Sequence, residues 1–203
     1  ARDFKRVSLE LGGKSPNIVF ADADWQVAAD ASPMSVFANT GQDCCARSRM
    51  FIERSIYDPF VEQFVAATKA LVVGDPANAE TQLGPLVSAN QRATVEEFIA
   101  DARNRGSKFA CGGARPHPKG YYLEPTVLLD VGKTDRCWRE EIFGPVATIM
   151  AYDDLDEAVD IANDTEYGLS AVISGDPAQA AGLAPKLRAG MVAVNAWGPG
   201  PGA

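Results

Sequence analysis

The sequence predicts an α/β fold with a mostly parallel sheet flanked by helices, and three observations carry that prediction. Apolar runs of β-type residues alternate with segments whose apolar positions recur at helical spacing. Several helical segments open on a capping residue, and the second half of the chain repeats a strand and helix rhythm. With 203 residues and 46% apolar composition, the chain is long enough for one domain with a sizeable core.

Strands are expected at 8–11 and 17–20, on either side of the Gly12-Gly13 turn. Asp24 stands where a side-chain cap would open a helix; Trp25, Ala28, Ala29, Ser32 and Val36 recur along it and lead the chain to Cys44. Because Cys44 lies beyond the C-terminal end, that helix's dipole is not expected to lower its pKa. A strand follows at 49–53. Ser55-Ile56-Tyr57-Asp58 and Ser88-Ala89-Asn90-Gln91 both have capping-box spacing and are expected to open helices running to about 72 and 103. Gly112-Gly113 predicts a turn ahead of a strand at 121–125. Strands at 146–152, 170–174 and 191–195 alternate with a helix opened by Asp154 and running through 163, and one opened by Asp176-Pro177 and running through 188. The sequence shows no internal repeat and no low-complexity linker.

Three short segments carry candidate chemistry. In Phe37-Ala38-Asn39-Thr40-Gly41-Gln42-Asp43-Cys44-Cys45-Ala46-Arg47, a cysteine lies just past a glycine break at the end of a helix-patterned stretch. A thiol reacts as its thiolate, and backbone N–H groups, Gln42 and Arg47 offer surroundings that favour that form. The alternative is a small buried core residue. In Ser8-Leu9-Glu10-Leu11-Gly12-Gly13-Lys14-Ser15-Pro16, a carboxylate sits among apolar neighbours that would raise its pKa, as a general base near neutrality requires. The alternative for Glu10 is a solvated residue at a sheet edge. The third segment, Glu140-Glu141-Ile142-Phe143-Gly144-Pro145-Val146, joins an acidic pair and an aromatic residue to a turn.

Together, with the Glu10 segment first, the Cys44 segment second and the Glu140–Val146 segment third along the chain, these motifs resemble the catalytic domain of the NAD(P)-dependent aldehyde dehydrogenase superfamily, and the resemblance runs from about Val7 to Asn195. It implies a three-layer, Rossmann-like domain in which Cys44 is the nucleophile and Glu10 the base that activates the hydrolytic water. Glu141 is then the carboxylate that binds the nicotinamide ribose hydroxyls, and Phe143 the ring that brackets the nicotinamide of NAD or NADP. The implied reaction takes a small aldehyde through a thiohemiacetal and a thioester to a carboxylic acid. The backbone N–H of Cys44 is the expected oxyanion donor, while the family's second donor, an asparagine side chain, belongs to a part not found in this chain.

The resemblance further implies that residues 1–203 are one thiol-bearing domain, with the dinucleotide-binding domain and the oligomerisation segment absent. No Gly-x-Gly-x-x-Gly fingerprint follows a strand. After Asn195 the chain passes through Trp197 into Gly198-Pro199-Gly200-Pro201-Gly202, where the family continues into a substrate loop and an oligomerisation strand. The chain alone is expected to be inactive without its cofactor domain, and the intact protein to be a homodimer or homotetramer. Gly-Gln-Asp-Cys resembles the form in some aminoaldehyde, 4-aminobutyraldehyde or betaine aldehyde dehydrogenases, whose substrates carry a cation that Asp43 could attract. The alternative is a local salt bridge from Asp43 to Arg47 or Arg49. Two other functions stay open: a CoA-acylating semialdehyde dehydrogenase, against which Glu10 counts, and a non-catalytic domain or fragment.

A net charge of −8 disfavours nucleic acid and anionic membranes, and no apolar run reaches the length of a membrane span. Cys44, Cys45, Cys111 and Cys137 lack metal-ligand spacing, so no metal is expected, and a reducing cytoplasm is the simplest compartment. His117, between prolines, is expected in a loop, and Cys111 as core or turn filler. Lys14 is expected to position the chain near Glu10 through polar contacts, and Asn195 to serve structurally near the floor of the active site.

Overall fold

The computed structural model describes residues 4–196; Trp197 and the glycine-proline run after it lie outside the described residues. Seven strands form one sheet: β1 (Pro16–Val19), β2 (Arg49–Glu53), β3 (Lys108–Cys111), β4 (Thr126–Leu129), β5 (Val146–Tyr152), β6 (Ser170–Ser174) and β7 (Met191–Val194). Their order is β3-β4-β5-β2-β1-β6-β7, and every pairing is parallel except β3 with β4. The fold is therefore the expected mostly parallel sheet flanked by helices.

Side-chain alternation along the strands divides the core between the two faces. Val19, Met50, Ile52, Val127 and Ile149 pack with Ala28, Val36, Phe37, Phe60 and Phe64 of α1 (Trp25–Phe37) and α2 (Tyr57–Lys69). Ile18, Phe51, Leu128 and Ile173 face the other way, onto α3 (Ala89–Asn104), α4 (Arg136–Arg139), α5 (Leu155–Asn163) and α6 (Pro177–Leu183). Pro33 lies inside α1 and removes a ladder donor, yet the helix continues because Ala28, Ala29, Val36 and Phe37 on either side are buried.

The caps behave largely as their spacing predicts. Asp24, Ser88, Asp154 and Asp176 accept from the backbone N–H of Val27, Gln91, Glu157 and Gln179. Ser55 does not cap: it lies in a short 3-10 turn, Arg54–Ile56, and its hydroxyl donates to Glu53, so α2 begins at Tyr57. The helix also ends at Lys69 rather than near 72, and α6 ends at Leu183, followed by a 3-10 turn instead of helix through 188.

Two strand expectations are corrected. Residues 8–11 belong to no strand; they run as an exposed extension into β1. Residues 121–125 are not a strand either, since Pro125 has no N–H to give a ladder, and β4 begins one residue later with Thr126 N–H donating to Pro145 O at 2.8 Å. Strands β3 and β4, short and without clear alternation, were not anticipated. The Gly112-Gly113 turn after β3 forms with φ of +76° and +88°. No helix among the described residues is long and apolar enough to cross a membrane.

Candidate active site

Strands β5, β2 and β1 are neighbours and parallel, so the segments that enter them meet at one end of the sheet. The three motifs are those entry segments. Glu10 precedes β1, Cys44 precedes β2, and Glu141 and Phe143 precede β5. They converge on an open cleft of about 350 Å³ lined by Glu10, Gly12, Gln42, Asp43, Cys44, Glu141 and Phe143. All four candidate residues named from sequence thus share one cleft.

Glycines allow the three segments to touch. A Cβ on Gly13 would lie 1.9 Å from the Cys44 carbonyl oxygen, and one on Gly12 would lie 2.5 Å from Glu141 Oε2. Gly41, at φ +70°, would place a Cβ 2.2 Å from the Gly144 carbonyl oxygen. Gly13 and Gly41 are therefore each required by the backbone of another motif, whereas Gly144 makes room for Val95 of α3.

The turn that delivers Cys44 is built from unusual backbone. Asn39 and Thr40 follow α1 at φ +52° and +58°, in the left-handed region that side chains rarely adopt. Local hydrogen bonds hold them there: Asn39 Nδ2 donates to Gln42 O at 2.8 Å, and Thr40 Oγ1 to Gly84 O at 2.9 Å. Gln42 is engaged in the same scaffold, with Nε2 donating to Asn39 O at 3.1 Å and Oε1 accepting from Val87 N–H at 2.9 Å.

The electrostatics of Cys44 differ from the sequence expectation. Burial pushes its thiol pKa up, and the neighbouring Cys45 thiol adds to this, followed by the charges of Asp43 and Glu10. Arg47 is buried and its charge faces Cys45 and Asp43, so neither Gln42 nor Arg47 supplies the thiolate-favouring surroundings expected of them. Glu10 is exposed, and the apolar enclosure expected around it is missing, since Leu9 and Leu11 are 69% and 66% exposed. Asp43 Oδ1 accepts from Cys45 N–H at 2.8 Å. Arg49 cannot be its ion-pair partner, because that guanidinium is buried on the carbonyls of Lys14, Ile161 and Ala162.

Glu141 and Phe143 are held differently. Glu141 Oε1 accepts from Gly13 N–H at 2.9 Å, while its own N–H donates to Tyr167 Oη at 3.3 Å. Phe143 adopts φ +53°, and Gln91 Nε2 fixes this turn by donating to the Phe143 carbonyl at 2.8 Å. The ring stays 39% exposed at the cleft. Gln91 and Tyr167 were not anticipated as supports; no local pattern marks residues that act only through packing across the fold.

Other expectations resolve plainly. His117 lies in a loop, with Nε2 3.1 Å from Val73 O, outside the cleft. Asn195 is structural, bridging both polar groups of Gly175, but it stands beyond the C-terminal end of β7 and so at the opposite end of the sheet from Cys44. Lys14 is fully buried, and its carbonyl, not its ammonium, is tied to Arg49. Although the cysteines lack metal-ligand spacing, Asp43, Cys44 and Cys45 bring three ligand atoms within 4.8 Å of one another.

This mostly parallel α/β domain thus presents a cysteine, three carboxylates and a partly exposed aromatic ring in one cleft. The aldehyde dehydrogenase family model matches residues 1–202, and the chain belongs to that family. An aldehyde dehydrogenase of Enchytraeus buchholzi is 45% identical over 196 residues, 96% of this chain and 39% of that protein. A crystal structure of a cysteine-to-alanine mutant of aldehyde dehydrogenase C from Pseudomonas syringae, complexed with NAD+ and octanal, superposes with a TM-score of 0.91 at 42% identity, covering 96% of this chain and 41% of that one. Betaine aldehyde dehydrogenase of Staphylococcus aureus, in complex with NAD+, gives a TM-score of 0.90 at 35% identity, covering 94% and 39%. The chain thus spans about two fifths of the length of the relatives it matches.

Proposed function

We propose that this chain is the thiol-bearing domain of an NAD(P)-dependent enzyme that oxidises an aldehyde to a carboxylic acid, with Cys44 as nucleophile and Glu10 as the base for water. The observation that carries this reading is the convergence of Glu10, Cys44, Glu141 and Phe143 on one cleft. The Cys44 sulfur attacks the aldehyde carbon, and the Cys44 backbone N–H donates to the oxygen that becomes negative. Glu10, which lines the same cleft as Cys44, then takes a proton from the water that hydrolyses the thioester.

The residues present fit a nicotinamide nucleotide. Glu141 gives one oxygen to Gly13 N–H, and a carboxylate has acceptor capacity left for paired ribose hydroxyls. The exposed Phe143 ring offers a face beside them. A nicotinamide bound there would accept the hydride leaving the carbon attached to Cys44. Asp43, lining the same cleft, biases it toward aldehydes with a distant ammonium. In this reading the intact protein is a cytoplasmic homodimer or homotetramer; a cytoplasmic site is supported by four unpaired cysteines.

The test is reduced-cofactor formation by the full-length protein with NAD+ and then NADP+, over aldehydes that include 4-aminobutyraldehyde. Cys44→Ala is expected to abolish turnover. Glu10→Gln is expected to give a burst of reduced cofactor followed by slow steady-state turnover, because the thioester forms but hydrolyses poorly. Full activity in either variant removes that residue from the mechanism.

A further inference from the structure

We propose that Asp43, Cys44 and Cys45 form a chelating site for a thiophilic divalent cation such as Zn2+, and that its occupancy reversibly blocks the Cys44 nucleophile. The blocking effect rests on the proposed role of Cys44; the cation site does not. Three donor atoms, two sulfurs and a carboxylate oxygen, lie within 4.8 Å of one another. Bonds of about 2.3 Å to sulfur and about 2.1 Å to oxygen put tetrahedral ligands somewhat less than about 4 Å apart, so closing on one ion needs movements of about an ångström or less.

The site is partly organised already. The Asp43 carboxylate is oriented by the Cys45 N–H at 2.8 Å, and the two sulfurs lie within 4.8 Å of each other although the residues are consecutive. The left-handed residues Asn39 and Thr40, pinned by their side-chain hydrogen bonds, hold the turn that brings them together. Asp43 and Cys44 line the open cleft, which gives the ion an entry path and leaves a fourth position for water. Binding balances simply: each thiol forms a sulfur–metal bond and releases its proton to solvent, with no change of oxidation state. Cys137, buried under the opposite face of the sheet, and Cys111, on the edge strand β3, have no such partners within this group.

Cadmium titration reports thiolate ligation through an ultraviolet charge-transfer band, so the first experiment titrates the 203-residue chain with Cd2+ and then displaces it with Zn2+. One equivalent per chain is expected, with two protons released. Cys45→Ser and Asp43→Asn should each weaken binding at least tenfold, while Cys111→Ser leaves it unchanged; circular dichroism of each variant establishes that it is folded. No band in the wild type, or a band that survives in the Cys44→Ser/Cys45→Ser variant, overturns the site. In the full-length protein, Zn2+ should slow alkylation of Cys44 by iodoacetamide at least tenfold, and a chelator should restore it. Zn2+ protection combined with full turnover after Cys44 alkylation would keep the cation site and remove Cys44 as nucleophile.

Discussion

Replacing Gly13 with alanine tests the packing that assembles the site. The added methyl would lie 1.9 Å from the Cys44 carbonyl oxygen, 3.1 Å from its carbonyl carbon and 3.4 Å from Leu169 Cδ2. Carbon–oxygen contacts below 3.0 Å are essentially absent from real structures, so a backbone segment must shift by about 1 Å. A rotamer change cannot relieve the Cys44 clash, because it is with backbone. Overpacking of this kind costs about 1–3 kcal/mol. The shift also disturbs the charge-assisted bond from Gly13 N–H to Glu141 at 2.9 Å, which contributes about 1.5–3 kcal/mol.

The expected loss is therefore about 3–5 kcal/mol in urea unfolding, or about 10 °C in Tm for a chain of this size. A displacement of about 1 Å at a reacting centre costs roughly a hundredfold in rate, and Cys44-dependent turnover in the full-length protein should fall by that order. Gly182→Ala is the control: nothing lies within 4 Å of its Cβ in α6, and it should gain about 0.5–1 kcal/mol. A Gly13→Ala variant with wild-type unfolding midpoint and wild-type turnover would refute the inference that this contact positions Cys44.

Two further predictions concern the polar interior beneath the site. Burial, with the Arg49 charge adding to it, lowers the Lys14 pKa to about 7. The unfolded chain then binds more protons than the folded one between about pH 7 and the ordinary lysine value, so Lys14 makes stability rise with pH across that window, by at most about 1.4 kcal/mol per pH unit. Below about pH 7 its destabilising effect is fully present. Urea unfolding between pH 7.5 and 9.5 should show that slope in the wild type and lose it in Lys14→Met; equal slopes would place the lysine outside the buried site. Arg49 is also buried, with its pKa lowered to about 10 by burial, and it donates to the carbonyls of Lys14, Ile161 and Ala162 at 2.9, 3.1 and 2.9 Å. Arg49→Met leaves those carbonyls unpaired at about 1–3 kcal/mol each, offset in part by removal of a buried cation, for a net loss of about 2–4 kcal/mol by chemical denaturation. A change within 0.5 kcal/mol would mean that water or neighbouring groups replace those bonds.

Local pattern was enough where a segment's own chemistry decides its conformation. The caps at Asp24, Ser88, Asp154 and Asp176 and the buried strands at 49–53, 146–152 and 170–174 were legible because capping oxygen and apolar runs are properties of a few consecutive residues. Strands β3 and β4 were not legible: each has four residues, and their pairing depends on neighbours distant in the chain. The expected strand at 8–11 failed for the complementary reason, since its apolar residues have no partner surface among the described residues.

The site divides along the same line. The sequence by itself determined which side chains could do chemistry, because a thiol, a carboxylate or an aromatic ring keeps its reactivity class wherever it is placed, and three motifs in a fixed order identified the family. Only the tertiary structure decided that they meet at the entry ends of β1, β2 and β5, since adjacency in a sheet is set by long-range pairing. It also decided the electrostatics: Arg47 turns toward Cys45 and Asp43, Gln42 is tied into the turn, and the Cys44 thiol is pushed up rather than down. Burial and the direction of a neighbouring charge are properties of the packed chain, and spacing along the sequence does not contain them.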